Sequence, residues 1–349
     1  MQRYSWGIVL GFLLAVVCAQ LADSHSFASD RYAVPGAAYG MAGKKLNFYC
    51  IGAGKPAVIM DAGLGDWSPS WTTIHDAVAR LTTACTFDRA GYGFSDTSSG
   101  PQTSSATTNE LHWALMSSPI KPPYILVGHS YGGMNARLFA DRHLADVAGM
   151  VLVDSVSERQ NLNGLLPTFK PWLKEAEACR DLAAHGILLR DATQHARCEH
   201  DVAEGFPANL LIRFSPLLQQ RIFVSSETPR EYAAIASELQ SLPQSSRELA
   251  GSSRSYGDLP LIVLTAPSHA DDSSQEASPF WEKFERDWRA GQDEMAEMSR
   301  CSLHIMVPRT HHMIQVDRPD AVVLAIQTVV DRVRGTVGRG DLTFRHCGQ

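Results

Sequence analysis

The chain has 349 residues, of which 44% are hydrophobic, 8% aromatic and 19% charged. That balance is close to the globular average and excludes disordered, collagenous and coiled-coil chains, while the length suits one large α/β domain with an insertion or two ordinary domains. A formal net charge of −6 with no basic run argues against nucleic acid as a partner, because such binders need a cationic stripe to displace counterions from phosphates.

In chain order, Arg3 precedes an apolar stretch from Trp6 to Ala19 that ends in small residues, the pattern of a signal peptide over residues 1–22. The stretch is short for a bilayer span and no later one reaches eighteen apolar residues. The expectation is therefore a secreted or periplasmic protein without stable membrane insertion after signal cleavage. Beyond the leader stand Cys50, Cys85, Cys179, Cys198, Cys301 and Cys347. This even set in an exported chain predicts disulfides, and the spacing suggests the local pairs 50–85, 179–198 and 301–347.

Short β-branched runs bounded by turn residues recur at Leu46–Cys50, Pro56–Met60, Ala84–Asp88, Tyr124–Gly128, Val147–Val153, Pro260–Ala266 and Ser302–Val307. Helical patterns lie between many of them, at Trp71–Leu81, Thr107–Met116, Gly132–His143, Phe280–Arg300 and Pro319–Val333. Alternating strands and helices specify an α/β fold with a mostly parallel central sheet and helices on both faces. The first two runs, joined by Gly52-Ala53-Gly54-Lys55, are expected to pair antiparallel through a hairpin turn. The alternation stops after Asp154 and resumes at Pro260. The core is thus predicted over 30–156 and 258–335, interrupted by a helical lid over 157–257 and followed by a tail over 336–349. Within the lid, Gly205–Val224 clusters Phe, Leu and Ile that line an apolar pocket or, for most of them, pack the lid onto the body.

The chemistry concentrates in Gly128-His129-Ser130-Tyr131-Gly132-Gly133, which follows the strand YILV and precedes a helical run. A sharp strand-to-helix turn holds a serine oxygen above the sheet edge, and glycines at 128 and 132 leave room for it. A serine hydroxyl is a poor nucleophile until a base takes its proton, so a later loop must supply a histidine. His311 and His312 precede the C-terminal helix; His312, followed by Met313 and Ile314, fits the base, with His311 the alternative. A carboxylate must fix that imidazole. Asp154 closes the strand AGMVLVD and is narrowly favoured, with Asp271 after the strand PLIVLTA the alternative acid. The backbone amides of Leu64, in the Gly-rich loop Asp61–Asp66, and of Tyr131 are the expected oxyanion-hole donors.

Together, GHSYGG, the AGLGDW loop, Asp88-Arg89-Ala90-Gly91-Tyr92-Gly93-Phe94-Ser95 and HHMIQVDRP resemble the α/β-hydrolase superfamily. Within it they resemble the lid-bearing branch of esterases, prolyl iminopeptidase-like peptidases, epoxide hydrolases and haloalkane dehalogenases. The resemblance covers residues 44–156 and 258–335. It implies an α/β-hydrolase fold, Ser130 as nucleophile, His312 as base, the amides of Leu64 and Tyr131 as oxyanion hole, and the Asp88–Ser95 loop as scaffold under the site. Asp154 stands where dehalogenase-like members place their acid, and Asp271 where most other members do. Serine at 130 disfavours the epoxide and haloalkane chemistries, which use an aspartate nucleophile.

The expected activity is that of a secreted serine hydrolase acting on a small-molecule ester. An amide substrate is the alternative, as in an iminopeptidase, whose amine pocket would need a lid carboxylate such as Glu175, Glu177, Glu204 or Glu231. A non-catalytic binding protein on the same scaffold is a further alternative. His195, Cys198, His200 and Asp201 have spacings a metal could use, but a Cys179–Cys198 disulfide accounts for the cysteine; no metal and no cofactor are expected.

Overall fold

The computed structural model describes residues 28–158, 169–202, 208–226, 228–250, 255–269 and 279–336, with Phe344 and Cys347. Its strands are β1 (Ala37–Met41), β2 (Lys44–Ile51), β3 (Ala57–Asp61), β4 (Ala84–Asp88), β5 (Tyr124–His129), β6 (Val147–Val153), β7 (Leu261–Thr265) and β8 (Ser302–Met306). They form one eight-stranded sheet in the order β1-β2-β4-β3-β5-β6-β7-β8. β1 and β2 are antiparallel to their neighbours, and every pair from β4 to β8 is parallel.

The helices described are α1 (His75–Ala79), α2 (Ser104–Ser117), α3 (Tyr131–Arg142), α4 (Lys170–Ala184), α5 (Ala192–Val202), α6 (Ala208–Leu211), α7 (Pro216–Ser226), α8 (Pro229–Ala250), α9 (Pro279–Ala296), α10 (Ile314–Asp317) and α11 (Pro319–Arg334). The last has Pro319 at its start and a left-handed Gly335 at its end, the residues each terminus favours. None of the described helices is long and apolar enough to cross a membrane.

Period-2 alternation divides the strand side chains between two cores. Ile59, Leu126, Met150, Leu152 and Val263 pack with Leu111 and Leu115 of α2 and Phe139 of α3. Val58, Met60, Val127, Val151 and Leu264 face the other way, onto Val78 of α1 and Val322, Ile326 and Val329 of α11. Strands covered on both sides are apolar along most of their length, which is why these runs read as near-continuous hydrophobic sequence.

Two expectations need correction. The strand β1 was not predicted, because AAYGM carries little β-branched character. The runs at Leu46–Cys50 and Pro56–Met60 do not form a hairpin: β4 lies between β2 and β3, antiparallel to the first and parallel to the second. The link between them crosses over β4 with Gly52 and Gly54 at positive φ.

All three expected cysteine pairs are bonded. Cys50 and Cys85 are register partners across β2 and β4, the second bond joins α4 to α5, and the third ties Cys347 to the residue before β8. Between β6 and β7 lie α4 to α8, with α4 against α8. In that insertion Leu210, Phe214, Leu218 and Ile222 are buried in a cluster with body residues such as Tyr32 and Tyr92, so they serve packing. The leader 1–22, Glu204, residues 205–207 and Asp271 lie outside the described residues.

Candidate functional site

The parallel strands end at one edge, and β5 turns there into α3 through Ser130, at φ 51° and ψ −117°. Such a positive φ costs a non-glycine residue about 1–3 kcal/mol and persists only where surrounding structure imposes it. Crowding at this turn excludes side chains: a Cβ on Gly128 would stand 2.4 Å from the Gly132 carbonyl oxygen, and one on Gly132 2.3 Å from that of Asp61. Asp154, directly after β6, also has a positive φ of 45°, and its N–H donates to the Leu264 carbonyl at 2.7 Å.

Four donors converge on the buried Asp154 carboxylate. His312 Nδ1 and His269 Nε2 each lie 2.7 Å from Oδ2, while Trp288 Nε1 and the Ala266 N–H donate to Oδ1 at 2.9 and 3.1 Å. Burial alone would raise the pKa of Asp154, but the charge on His269 and the bonds from both histidines outweigh it and hold the group well below the usual carboxylate range. On its other side, His269 Nδ1 lies 3.1 Å from Glu285. Burial opposes charge on His269, yet Asp154 and then Glu285 push its pKa up to about 9.

His312 follows β8 and lies next to His129, the residue before Ser130, with ring centroids 4.7 Å apart. His129 Nε2 donates to the His312 carbonyl at 3.1 Å, and burial, reinforced by His312, lowers its pKa to about 3, so the ring is neutral. His311, by contrast, is exposed and faces Asp317.

The loop after β3 is shaped by Arg89, one residue after β4. Its guanidinium donates to Asp61 at 2.8 Å, to the carbonyls of Ala62 and Gly63 at 2.7 and 2.6 Å, and to Glu238 of α8 at 2.6 Å. Tyr92 also donates to Glu238, at 2.8 Å, and Arg89 and Glu238 are almost fully buried. An arginine fork that satisfies several carbonyls at once fixes the path of a loop that has no regular structure of its own. Below it, Asp88 accepts bonds from Ser68, Asn47 and the Phe94 N–H, which accords with a scaffold role for the Asp88–Ser95 segment.

Ser130, His312, Leu64, Tyr131 and His269 all line one cavity of about 480 Å³. Its walls are aromatic: Phe169 and Trp172 come from the insertion, and Phe280, Trp281, Phe284 and Trp288 from α9. The lid acids considered for an amine pocket are engaged elsewhere. Glu175 pairs with Arg197, Glu177 accepts from Gln240, Glu231 is half-buried, with desolvation pushing its pKa up to about 7, and none of these lines the cavity. Cys198 is committed to its disulfide.

Sequence reasoning missed His269, Glu285 and Glu238. His269 stands two residues before the alternative acid Asp271, in the PSHA segment that marked that loop as unusually long. Glu238 gives no local signal, because its partners are 149 and 146 residues away.

Comparison with known proteins agrees with this architecture. The chain is 28% identical over 153 residues to the uncharacterized protein YbdG of Bacillus subtilis, covering 42% of this chain and 47% of that one. It spans less than half the length of YbdG and of a second B. subtilis relative, YqjL. A thermophilic esterase from Thermogutta terrifontis superposes with a TM-score of 0.57 at 18% identity, over 86% of this chain and 99% of that one. A putative epoxide hydrolase from Pseudomonas aeruginosa gives 0.61 at 16%, over 86% and 96%. At these identities the two structures establish the fold alone. The sequence profile of the alpha/beta hydrolase family matches residues 58–325, more than half of the chain, and the chain belongs to that family.

Proposed function

We propose that this hydrolase cleaves carboxylic esters through Ser130, His312 and Asp154. The observation that carries the reading is that Ser130 and His312 line the same cavity, with His312 Nδ1 held by Asp154 at 2.7 Å. With Nδ1 engaged, Nε2 is the nitrogen that takes the serine proton. Ser130 Oγ then attacks the ester carbonyl carbon, and the electron pair of the C=O moves onto oxygen. That oxyanion accepts from the Tyr131 N–H, in the first turn of α3 where no intrahelical acceptor exists, and from the Leu64 N–H. Collapse expels the alcohol, which leaves with the proton from His312. Water, deprotonated by the same ring, releases the acid from the acyl-enzyme and restores the serine.

The aromatic walls favour an ester with an apolar acyl or alcohol group, and the volume suits a small molecule. Phe169 and Trp172 give the insertion a part in substrate choice, as expected of a lid over 157–257. Three disulfides support folding in an oxidising compartment, in keeping with a leader over residues 1–22 and a secreted or periplasmic protein.

The test compares the parent protein with Ser130→Ala on p-nitrophenyl esters of increasing acyl length, alongside labelling by a fluorophosphonate probe. Turnover and labelling should both vanish in the variant while its circular dichroism is unchanged. Equal turnover by the two proteins would refute the assignment.

A further inference from the structure

We propose that His269 is a positioning residue for this triad: an imidazolium clamped between Asp154 and Glu285 that orients the Asp154 carboxylate and weakens its support for a protonated His312, so that the site stays active in acidic surroundings. The inference rests on the serine-hydrolase reading above and adds to it a pH range.

The geometry sets the charge of His269. Its Nε2 faces Asp154 Oδ2 at 2.7 Å and its Nδ1 faces both Glu285 oxygens at 3.1 Å. Ionised carboxylates only accept, so each ring nitrogen must carry a proton, and a ring with two N–H groups is a cation. The side chain is 6% exposed, leaving little water to replace either partner. Phe284 and Trp288 pack on the ring, with centroids 5.4 and 4.4 Å away.

The same cation bears on the base. His269 and His312 donate to one and the same oxygen of Asp154, and their ring centroids are 5.6 Å apart. A carboxylate serving a single imidazole favours that ring's cation; one already neutralised by a second cation does so far less. The ionisable groups in play come from five elements: Asp154 after β6, Glu285 on α9, His312 after β8, His129 at the end of β5, which is neutral, and Asp66 in the loop after β3, which lines the same cavity and whose pKa burial pushes up to about 8. Glu285 is bonded to the side of His269 away from Asp154, so His269 is the charge closer to the His312–Asp154 pair. Two unit charges at this separation, in the effective dielectric that fits protein sites, alter a titration by about two pH units.

The experiment measures kcat/KM against pH for the parent, His269→Gln and His269→Ala, and follows the His312 ring by NMR titration in the same proteins carrying Ser130→Ala. Glutamine keeps a donor toward Asp154 without the charge. The acid limb of the activity profile and the His312 midpoint should both move up by about two pH units in the glutamine variant, and plateau kcat should fall less there than with alanine. An unmoved His312 midpoint in folded protein overturns the proposal. Should both variants misfold, the His269 resonances of the parent decide: a doubly protonated ring at pH 7 supports the proposal and a neutral ring overturns it. An inactive parent would count against the ester-hydrolase reading alone, since the NMR arms need no turnover.

Discussion

Asp154→Asn is the sharpest single test of the proposed triad, because the substitution keeps shape and removes only charge and acceptor capacity. In the parent, the two carboxylate oxygens accept from His312, His269, Trp288 and the Ala266 N–H. An asparagine offers one oxygen, and its NH2 must face donors on the other side. If that NH2 meets His312, the ring is forced to present a lone pair at Nδ1 and a proton at Nε2, the wrong tautomer for a base. Loss of the correct tautomer costs about 10⁴ in turnover in other serine triads, equivalent to roughly 5.5 kcal/mol of transition-state stabilisation. Substrate binding should change little, because Asp154 is fully buried and does not line the cavity. The same change leaves the His269 cation with Glu285 as its one carboxylate, at a stability cost of about 3–5 kcal/mol for a broken buried pair. The assay is therefore steady-state hydrolysis of a p-nitrophenyl ester well below the melting temperature, with Asp271→Asn as the parallel variant. The expected outcome is a kcat lowered by three to four orders of magnitude at nearly constant KM for Asp154→Asn, and near-parental kcat for Asp271→Asn. If folded Asp154→Asn keeps more than about a tenth of parental kcat/KM, the role assigned to this carboxylate is wrong.

Glu238→Gln should destabilise the protein by about 3–5 kcal/mol, read by urea denaturation, because it breaks a buried ion pair and leaves Arg89, which also grips the loop after β3, with Asp61 as its one carboxylate; a loss below about 1 kcal/mol would show that the pair is dispensable. Asp66 lines the cavity and burial pushes its pKa up to about 8, so the folded state favours its neutral form. Stability from this group is complete below the unfolded value near 4 and is lost as pH rises toward 8. Asp66→Asn should thus gain thermal stability relative to the parent on going from pH 5 to pH 8, and a difference that stays flat across that range would contradict a buried neutral carboxyl.

The sheet was legible because its strands are covered on both faces. Runs such as Val147–Val153 and Ala84–Asp88 have the same bounds in sequence and structure, since strands buried on two sides read as mostly apolar runs bounded by turn residues. β1 gave no such signal: AAYGM, at the sheet edge with exposed ends, presents no apolar run, whereas β8 at the other edge carries Leu303 and Ile305 and was legible. The hairpin expected between β2 and β3 failed for a different reason. A short Gly-rich link fixes only that two strands are near each other, whereas their pairing depends on β4, whose insertion between them no local pattern announces.

Within the site, residues tied to a backbone constraint could be read, and residues tied only to each other could not. Gly128 and Gly132 follow from the crowding of the turn at Ser130, and Asp154 from its place at the end of a strand adjacent to β5. His269 and Glu285 occupy ordinary positions in a loop and a helix, and acquire meaning only when folding sets the His269 ring between Asp154 and Glu285. The same holds for Glu238, an acid in the middle of a helix that carries other polar residues, distinguished solely by its complete burial beside Arg89. A buried charge is costly unless paired, so each of these acids implies a cation held in place. In the proposed mechanism the two clamps serve different steps: Arg89 with Glu238 holds the loop that would supply an oxyanion donor, and His269 with Glu285 holds the carboxylate that would support the base. Both reach the site from elements outside the turn that holds Ser130, so the geometry of the site depends on the insertion and on α9 as much as on the residues of the motif.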